Sequence, residues 1–233
     1  VFAVLGSYAQ NRRTDVSVDA AERGKKYLYM LHADATRGDE ERLPDAIILV
    51  GDVRFRRDSM YMYCDSAHYF QKVNSFQAFG NVRMEQGDTL FLYGDYLDYD
   101  GDANLARVRG NVRLEDKAST LETDSLDYNR TLNLGYYFDG GTLYDEQSTL
   151  DSKWGEYNTA TKEAIFRDEV NLMNPQFYMD SDTLHYNTGT SIAKIVGPTR
   201  IRSAANRIYS ELGYYNTRNR QATLLNRSPV KNG

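Results

Sequence analysis

Apolar and polar residues alternate along this chain in blocks that recur. Apolar residues stand two positions before a Gly-Asn-Val-like step, at Ala78, Val108, Phe138, Phe166, Ile195 and Leu224. They stand again four positions before it, at Phe76, Ala106, Tyr136, Ala164, Ala193 and Ala222. After the step come Val53/Phe55, Val82/Met84, Val112/Leu114, Val170/Leu172 and Thr199/Ile201, separated by Arg54, Arg83, Arg113, Asn171 and Arg200. This period of two predicts strands with one dry face. A second set alternates at Met60/Met62, Leu90/Leu92 and Phe177/Met179, then resumes with changed parity at Leu97/Tyr99, Leu126/Tyr128 and Leu184/Tyr186. The change falls near Gly94 or the matching Asp and predicts a bulge or bend.

The blocks keep a fixed period. Tyr69, Tyr99, Tyr128, Tyr157, Tyr186 and Tyr215 are spaced by 30, 29, 29, 29 and 29 residues, the signature of a repeat architecture. The Gly-Asn-Val step recurs at Gly51-Asp52-Val53, Gly80-Asn81-Val82 and Gly110-Asn111-Val112, and more loosely at Gly140, Asp168-Glu169-Val170, Gly197-Pro198-Thr199 and Asn226. Turn sequences follow the tyrosines at Asn129, Asn158-Thr159-Ala160-Thr161, Asn187-Thr188-Gly189-Thr190 and Asn216-Thr217-Arg218-Asn219, where Asn and Gly tolerate left-handed backbone. Each repeat reads as strand, turn, strand, turn, with about six 29-residue copies between residues 47 and 226. The expectation is an all-β, solenoid-like stack forming one domain over residues 28–233. The ruler tyrosines share the parity of Leu97, Leu126 and Leu184, so they are expected to point inward near a strand end. Two repeats depart: Lys153-Trp154-Gly155 stands where others have Asp and Leu, and Gly213 replaces that Leu again. Those layers are expected to be lined differently.

Composition changes this picture little. Hydrophobic residues make up 41% and charged ones 26% of the 233 residues, with 19 tyrosines and four prolines, which suits pleated, half-buried surfaces. There is no apolar run of transmembrane length. Residues 1–27 read as a signal-peptide remnant and N-terminal arm: Val1 to Ala9 resembles the end of an apolar signal region, with small residues at Ser7 and Ala9, and a short apolar arm is the alternative. The single Cys64 has no partner for an internal disulfide and does not identify a compartment. The net charge is −5, but residues 194–233 carry eight Lys/Arg and one Glu. That basic segment can guide an anionic partner or head-to-tail assembly, or simply be a solvated face.

Chemistry-bearing patterns are lacking. Asp65, Asp95, Asp124, Lys153, Asp182 and Glu211 stand four residues before the ruler tyrosines, and His68, Asp98, Asp127, Glu156, His185 and Tyr214 one residue before. A polar type repeated in every layer fits turn and ladder geometry better than catalysis, which needs a site once. No catalytic residue is assigned, although carboxylates can pair as acid and base. Asp98-Tyr99-Asp100-Gly101-Asp102 invites a calcium reading, but the EF-hand Gly and Glu positions hold Ala103 and Arg109. His32, His68 and His185 lack zinc spacing. No phosphate-binding loop, nucleophile elbow or dinucleotide fingerprint occurs. The expectation is a non-enzyme with no cofactor and no metal. The acidic balance argues against nucleic acid as a partner.

The inward rows have two possible meanings: a filled core, or a trough for acyl chains. The small residues Ala106, Ala164, Ala193 and Ala222 leave room on one row and favour the trough slightly. Ile48 to Phe55, Ala78 to Met84, Gln86 to Leu90 and Gly94 to Tyr99 resemble the OstA-like domain of the LptA family, shared with LptC and the LptD N-terminus. With Cys64-Asp65-Ser66-Ala67 and the many tyrosines, the chain is similar to Bacteroidetes-type OstA-like proteins over residues 28–226. The resemblance implies a β-jellyroll, or β-taco. It implies a periplasmic carrier or bridge that shields lipopolysaccharide acyl chains on the way to the outer membrane. Its partners would be lipopolysaccharide (lipid A), other Lpt-type components joined by end-to-end strand addition, and further copies head to tail, in association with the inner- or outer-membrane transport machinery. The residues expected to line the apolar slot are Val53, Phe55, Val82, Met84, Leu90, Leu92, Leu97, Val108, Val112, Leu114, Leu126, Phe138, Phe166, Val170, Leu172 and Ile195. The alternatives are a structural β-solenoid, such as an adhesin or surface scaffold with a closed core, and a β-helical carbohydrate lyase or hydrolase. The latter needs one non-repeating cluster of acidic or basic residues, which the sequence does not show.

Overall fold

The computed structural model describes residues 27–39, 41–204, 206–225 and 230–232. The expected signal segment and N-terminal arm lie outside these residues, apart from Tyr27. The described chain is mostly strand, with one short 3-10 turn at Gln71–Val73. Short β1 (Tyr29–His32) and β2 (Ala35–Gly38) precede long strands β3 (Ile47–Arg57), β4 (Met60–Phe70), β5 (Ser75–Gln86), β6 (Leu90–Asp100), β7 (Leu105–Glu115) and β8 (Thr120–Asn129). Four short strands follow: β9 (Leu134–Tyr137), β10 (Gly141–Tyr144), β11 (Thr149–Ser152) and β12 (Trp154–Asn158). The long pattern resumes with β13 (Glu163–Asn174), β14 (Phe177–Asn187), β15 (Ile192–Ser203) and β16 (Asn206–Asn216), and the sheet ends with β17 (Ala222–Leu224) and β18 (Val230–Asn232). All belong to one antiparallel sheet in which successive long strands pair.

Every long strand bends at its middle. At the junction of β5 and β6 the ladder skips from Phe79↔Tyr96 to Val82↔Gly94, leaving Gly80 and Asn81 opposite Asp95. Gly80 and Asn81 take φ of 73° and 45°, and Gly110 and Asn111 take 73° and 47°. Two successive left-handed residues turn the strand sharply, and Gly and Asn are the residue types that tolerate this. The partner strand braces the corner. Asn81 donates to Asp65 at 2.8 Å and Asn111 to Asp95 at 2.6 Å. The Gly-Asn step and the Asp column of the sequence are therefore the two halves of one corner. Where the step reads Asp168-Glu169, with φ of 61° and 56°, the column carries Lys153, whose ammonium pairs with Glu169. The column residue changes from anion to cation as the step residue changes from a neutral amide to a carboxylate, so a hydrogen bond becomes an ion pair.

These corners form the spine of a sheet folded into two walls. The first wall holds the leading halves of β3, β5, β7, β13 and β15 and the trailing halves of β4, β6, β8, β14 and β16, with β2, β9, β12 and β17. The second wall holds the opposite halves, with β1, β10, β11 and β18. In the middle of the chain the corner breaks the strands outright, so that β9 and β10 lie on different walls, as do β11 and β12. The inner faces of the walls meet in one hydrophobic cluster running from Leu28 to Tyr215. No helix among the described residues is long and apolar enough to cross a membrane.

Candidate functional site

The interior between the walls is the candidate site. Of the residues expected to line it, all but Phe138 are buried: none of Val53, Phe55, Val82, Met84, Leu90, Leu92, Leu97, Val108, Val112, Leu114, Leu126, Phe166, Val170, Leu172 or Ile195 is more than 6% exposed. Walls this inaccessible leave no water-filled slot along these rows. The interior is packed, with Phe55 stacked on Phe76 at 4.8 Å and Phe76 on Tyr99 at 5.2 Å.

Phe138 corrects the reading of the fourth repeat. It lies outside the interior, 49% exposed, and Tyr137 is the buried residue. Gly140 anchors the wrong register. Counting 29 residues from Val108 reaches Tyr137, and counting 29 from Ala106 reaches Gly135. Tyr136, expected inside, faces outward and donates to Asp127 at 3.2 Å. This register also explains Gly155. In neighbouring layers its position holds Leu126 and Leu184, but a Cβ on Gly155 would overlap the Tyr137 ring. The large ring occupies the volume that the missing leucine leaves. Tyr137 is anchored by its hydroxyl, 2.7 Å from the Ser152 hydroxyl.

The row of small residues is likewise no trough. Ala106 lies between Tyr99 and Tyr128, Gly135 between Tyr128 and Tyr157, and Ala164 between Tyr157 and Tyr186. The space beside each small residue is taken by the rings of the tyrosine ruler. Ala222, on short β17, is exposed.

The ruler closes the mouth. Its tyrosines sit at the free lip of the first wall and are all buried, and their hydroxyls make two kinds of contact. Some run along their own lip: Tyr128 to Thr159 at 3.2 Å, Tyr157 to Thr188 at 3.3 Å and Tyr186 to Thr217 at 3.3 Å. Others cross to the second wall. Tyr157 donates to Asp116 at 2.5 Å and accepts from Ser119 at 3.0 Å, and Lys162 reaches the same Asp116 oxygen at 3.0 Å. Tyr186 donates to Asp145. Burial first, and then the hydrogen-bonded carboxylate, push the Tyr157 and Tyr186 phenols far above their ordinary value. Burial pushes Tyr137 up to about 12. These phenols stay neutral donors across the ordinary pH range and have no role as bases.

One layer is built differently. Along the lip of the second wall, strand register aligns Arg57, Gln86, Asp116 and Asp145. Opposite them, Arg130 holds the place taken by Thr159, Thr188 and Thr217 in later layers. Arg57 and Arg130 both converge on the Tyr99 hydroxyl, at 3.3 and 3.0 Å. Sequence reading passed over both arginines, and over Asp116 and Asp145. The recoverable signal was that each of these aspartates stands 41 residues before a ruler tyrosine.

A folded, two-walled antiparallel sheet with a continuous apolar interior and a side-chain seam along its mouth defines an all-β jellyroll-type protein. The chain belongs to the OstA-like protein family, whose model matches residues 25–182. Among solved structures, it is similar to LptH of Pseudomonas aeruginosa, described as the LptA homologous periplasmic component of the lipopolysaccharide transport device. The identity is 10% and the TM-score 0.39, over 42% of this chain and 76% of that one. No curated protein matches.

Proposed function

We propose that this chain is a non-enzymatic carrier module for lipopolysaccharide, working in the periplasm as part of a bridge toward the outer membrane. Membership of the OstA-like family supports a transport role in general. The observation that carries the finer reading is how the walls are joined. At the spine they are continuous backbone, whereas the hydrogen bonds found across the mouth among the described residues all use side chains. Each such bond contributes only about 1 kcal/mol net, so the packed interior, and not the seam, holds most of the closing free energy, and a ligand that fills that interior can offset it. Parting the lips uncovers the rows led by Val82, Met84, Leu90, Leu92, Val112, Leu114, Val170 and Leu172. Each buried lipid methylene then contributes about 0.8 kcal/mol. Acyl chains would replace the contacts that the two walls make with each other, and an external energy source would drive movement along the stack.

Among the described residues the sheet has two edges: β1 and β2, which pair with β3, and β17 and β18, which pair with β16. Unpaired edge backbone is a template for strand addition by a partner or a second copy. The packed interior favours one competing reading, a structural stack that never opens. A photo-crosslinker placed at Leu92 or Leu114 separates the two. Crosslinks to lipopolysaccharide, abolished by Leu114→Asp in a folded protein, support the carrier. Absence of crosslinks, together with absence of lipid in an organic extract of the purified protein, supports the closed scaffold.

A further inference from the structure

The Tyr99 layer carries an excess of positive charge that the rest of the seam does not have. Arg57 ends β3 on one lip and is 4% exposed. It donates to the Gly101 carbonyl and to the Tyr99 hydroxyl, while its Nε has no hydrogen-bond partner among the described residues. Arg130, half-buried on the other lip, donates to the same hydroxyl and, through Nε, to Gln86 at 3.1 Å. Among the described residues neither guanidinium is ion-paired. The acid in the row beyond, Asp116, is already committed to Tyr157 and Lys162. Two guanidiniums drawn to one phenol oxygen repel each other, and a buried cation without an anion is costly. Later layers avoid this by placing a carboxylate and a threonine at the same two positions.

We propose that Arg57 and Arg130 form a phosphate-binding site at the mouth of the interior, holding a phosphoryl group between the two guanidiniums beside the Tyr99 hydroxyl. The phosphate oxygens satisfy the orphan Nε of Arg57 and neutralise both charges, and the fork of N–H donors on each arginine matches phosphate geometry. The site straddles both lips above the apolar rows that include Phe76, Met84 and Leu97. That is where the headgroup of an amphiphile would sit with its chains below. The lipid version of this assignment rests on the carrier reading, whereas phosphate recognition stands apart from it.

The test uses the full chain, Arg57→Gln and Arg130→Gln, with thermal unfolding as the control for folding. Arg130→Gln is the safer variant because Arg130 is only half-buried. Three probes are titrated: inorganic phosphate, a bisphosphorylated acylated glucosamine disaccharide, and the same lipid without phosphates. The expected result is binding of the phosphorylated lipid about tenfold or more tighter than the phosphate-free one, with the difference lost in either folded variant. If inorganic phosphate binds, variant-sensitively, but neither lipid does, the phosphate site stands with free phosphate as its source and the carrier reading falls. If both lipids bind equally and phosphate does not bind, the phosphate site is overturned and the carrier reading survives. Discrimination that persists in both variants also overturns the site.

Discussion

The Tyr157 hydroxyl lies 2.5 Å from an Asp116 oxygen on the facing lip, joining residues 41 positions apart. Asp116 also caps its own turn, accepting from the Ala118 N–H at 2.7 Å. The seam is thus built from a turn residue on one wall and a core aromatic on the other. Tyr157→Phe leaves the Asp116 carboxylate, whose side chain is 3% exposed, one donor short. The expected loss is about 1–3 kcal/mol, read as a lower urea midpoint at unchanged slope. Tyr128→Phe, which removes only a bond to Thr159 on the same lip, should cost less. Equal losses would show that the cross-mouth contact has no special weight.

Stability should fall in alkali. Burial raises the Tyr137 phenol from 10.0 and the Cys64 thiol from 9.0, each to about 12. Well below pH 9 both groups are protonated folded and unfolded, and the stability is fully present. As pH rises, the unfolded chain releases protons that the folded chain keeps, so stability drops until about pH 12. Tyr137 alone accounts for roughly 2–3 kcal/mol of this fall. Urea midpoints at pH 8, 10 and 11 measure it, and Tyr137→Phe should flatten the slope.

Tyr137 and Gly155 should behave as one unit. Gly155→Leu restores the residue type of neighbouring layers but collides with the Tyr137 ring, an overpacking of about 1–3 kcal/mol. In Tyr137→Val, which mimics Val108 one repeat earlier, the same leucine fills a void. The double variant should therefore be more stable than the sum of its parts predicts, as measured by a denaturant double-mutant cycle. Additive effects would contradict the volume exchange.

Gly80 should not tolerate alanine. Its φ is 73°, and a Cβ would stand 2.5 Å from the Asp65 carboxylate. Left-handed backbone costs a non-glycine residue about 1–2 kcal/mol, with the collision added. In an Asp65→Ala background the carboxylate collision disappears, leaving a close 3.3 Å Cβ contact and the backbone penalty, so Gly80→Ala should cost less there. An unchanged cost would place the whole effect in the backbone.

Much of the architecture is legible in the chain because strand physics is local. Alternation identifies the buried face, and the repeat stacks Val82 on Val112 and Leu97 on Leu126 without any structure. The corners are half-legible: Gly80-Asn81 announces left-handed backbone, while its bracing by Asp65 does not follow from adjacency. The Phe138 register failed because Gly140 resembled the corner glycine, although the ruler itself pointed to Tyr137. Arg57 and Arg130 were invisible as a pair, since only the folding of the sheet brings two opposite lips within bonding distance.

The sequence by itself determined that this protein is a stack of bent strands with one apolar face, because period-two patterning and left-handed turn residues act within a few neighbours. Only the tertiary structure decided that the face is packed shut, that the small residues make room for tyrosine rings, and that those rings close the mouth. Each of these depends on how far one wall stands from the other, a distance set by side chains that are remote in sequence and meet only when the sheet folds at its spine.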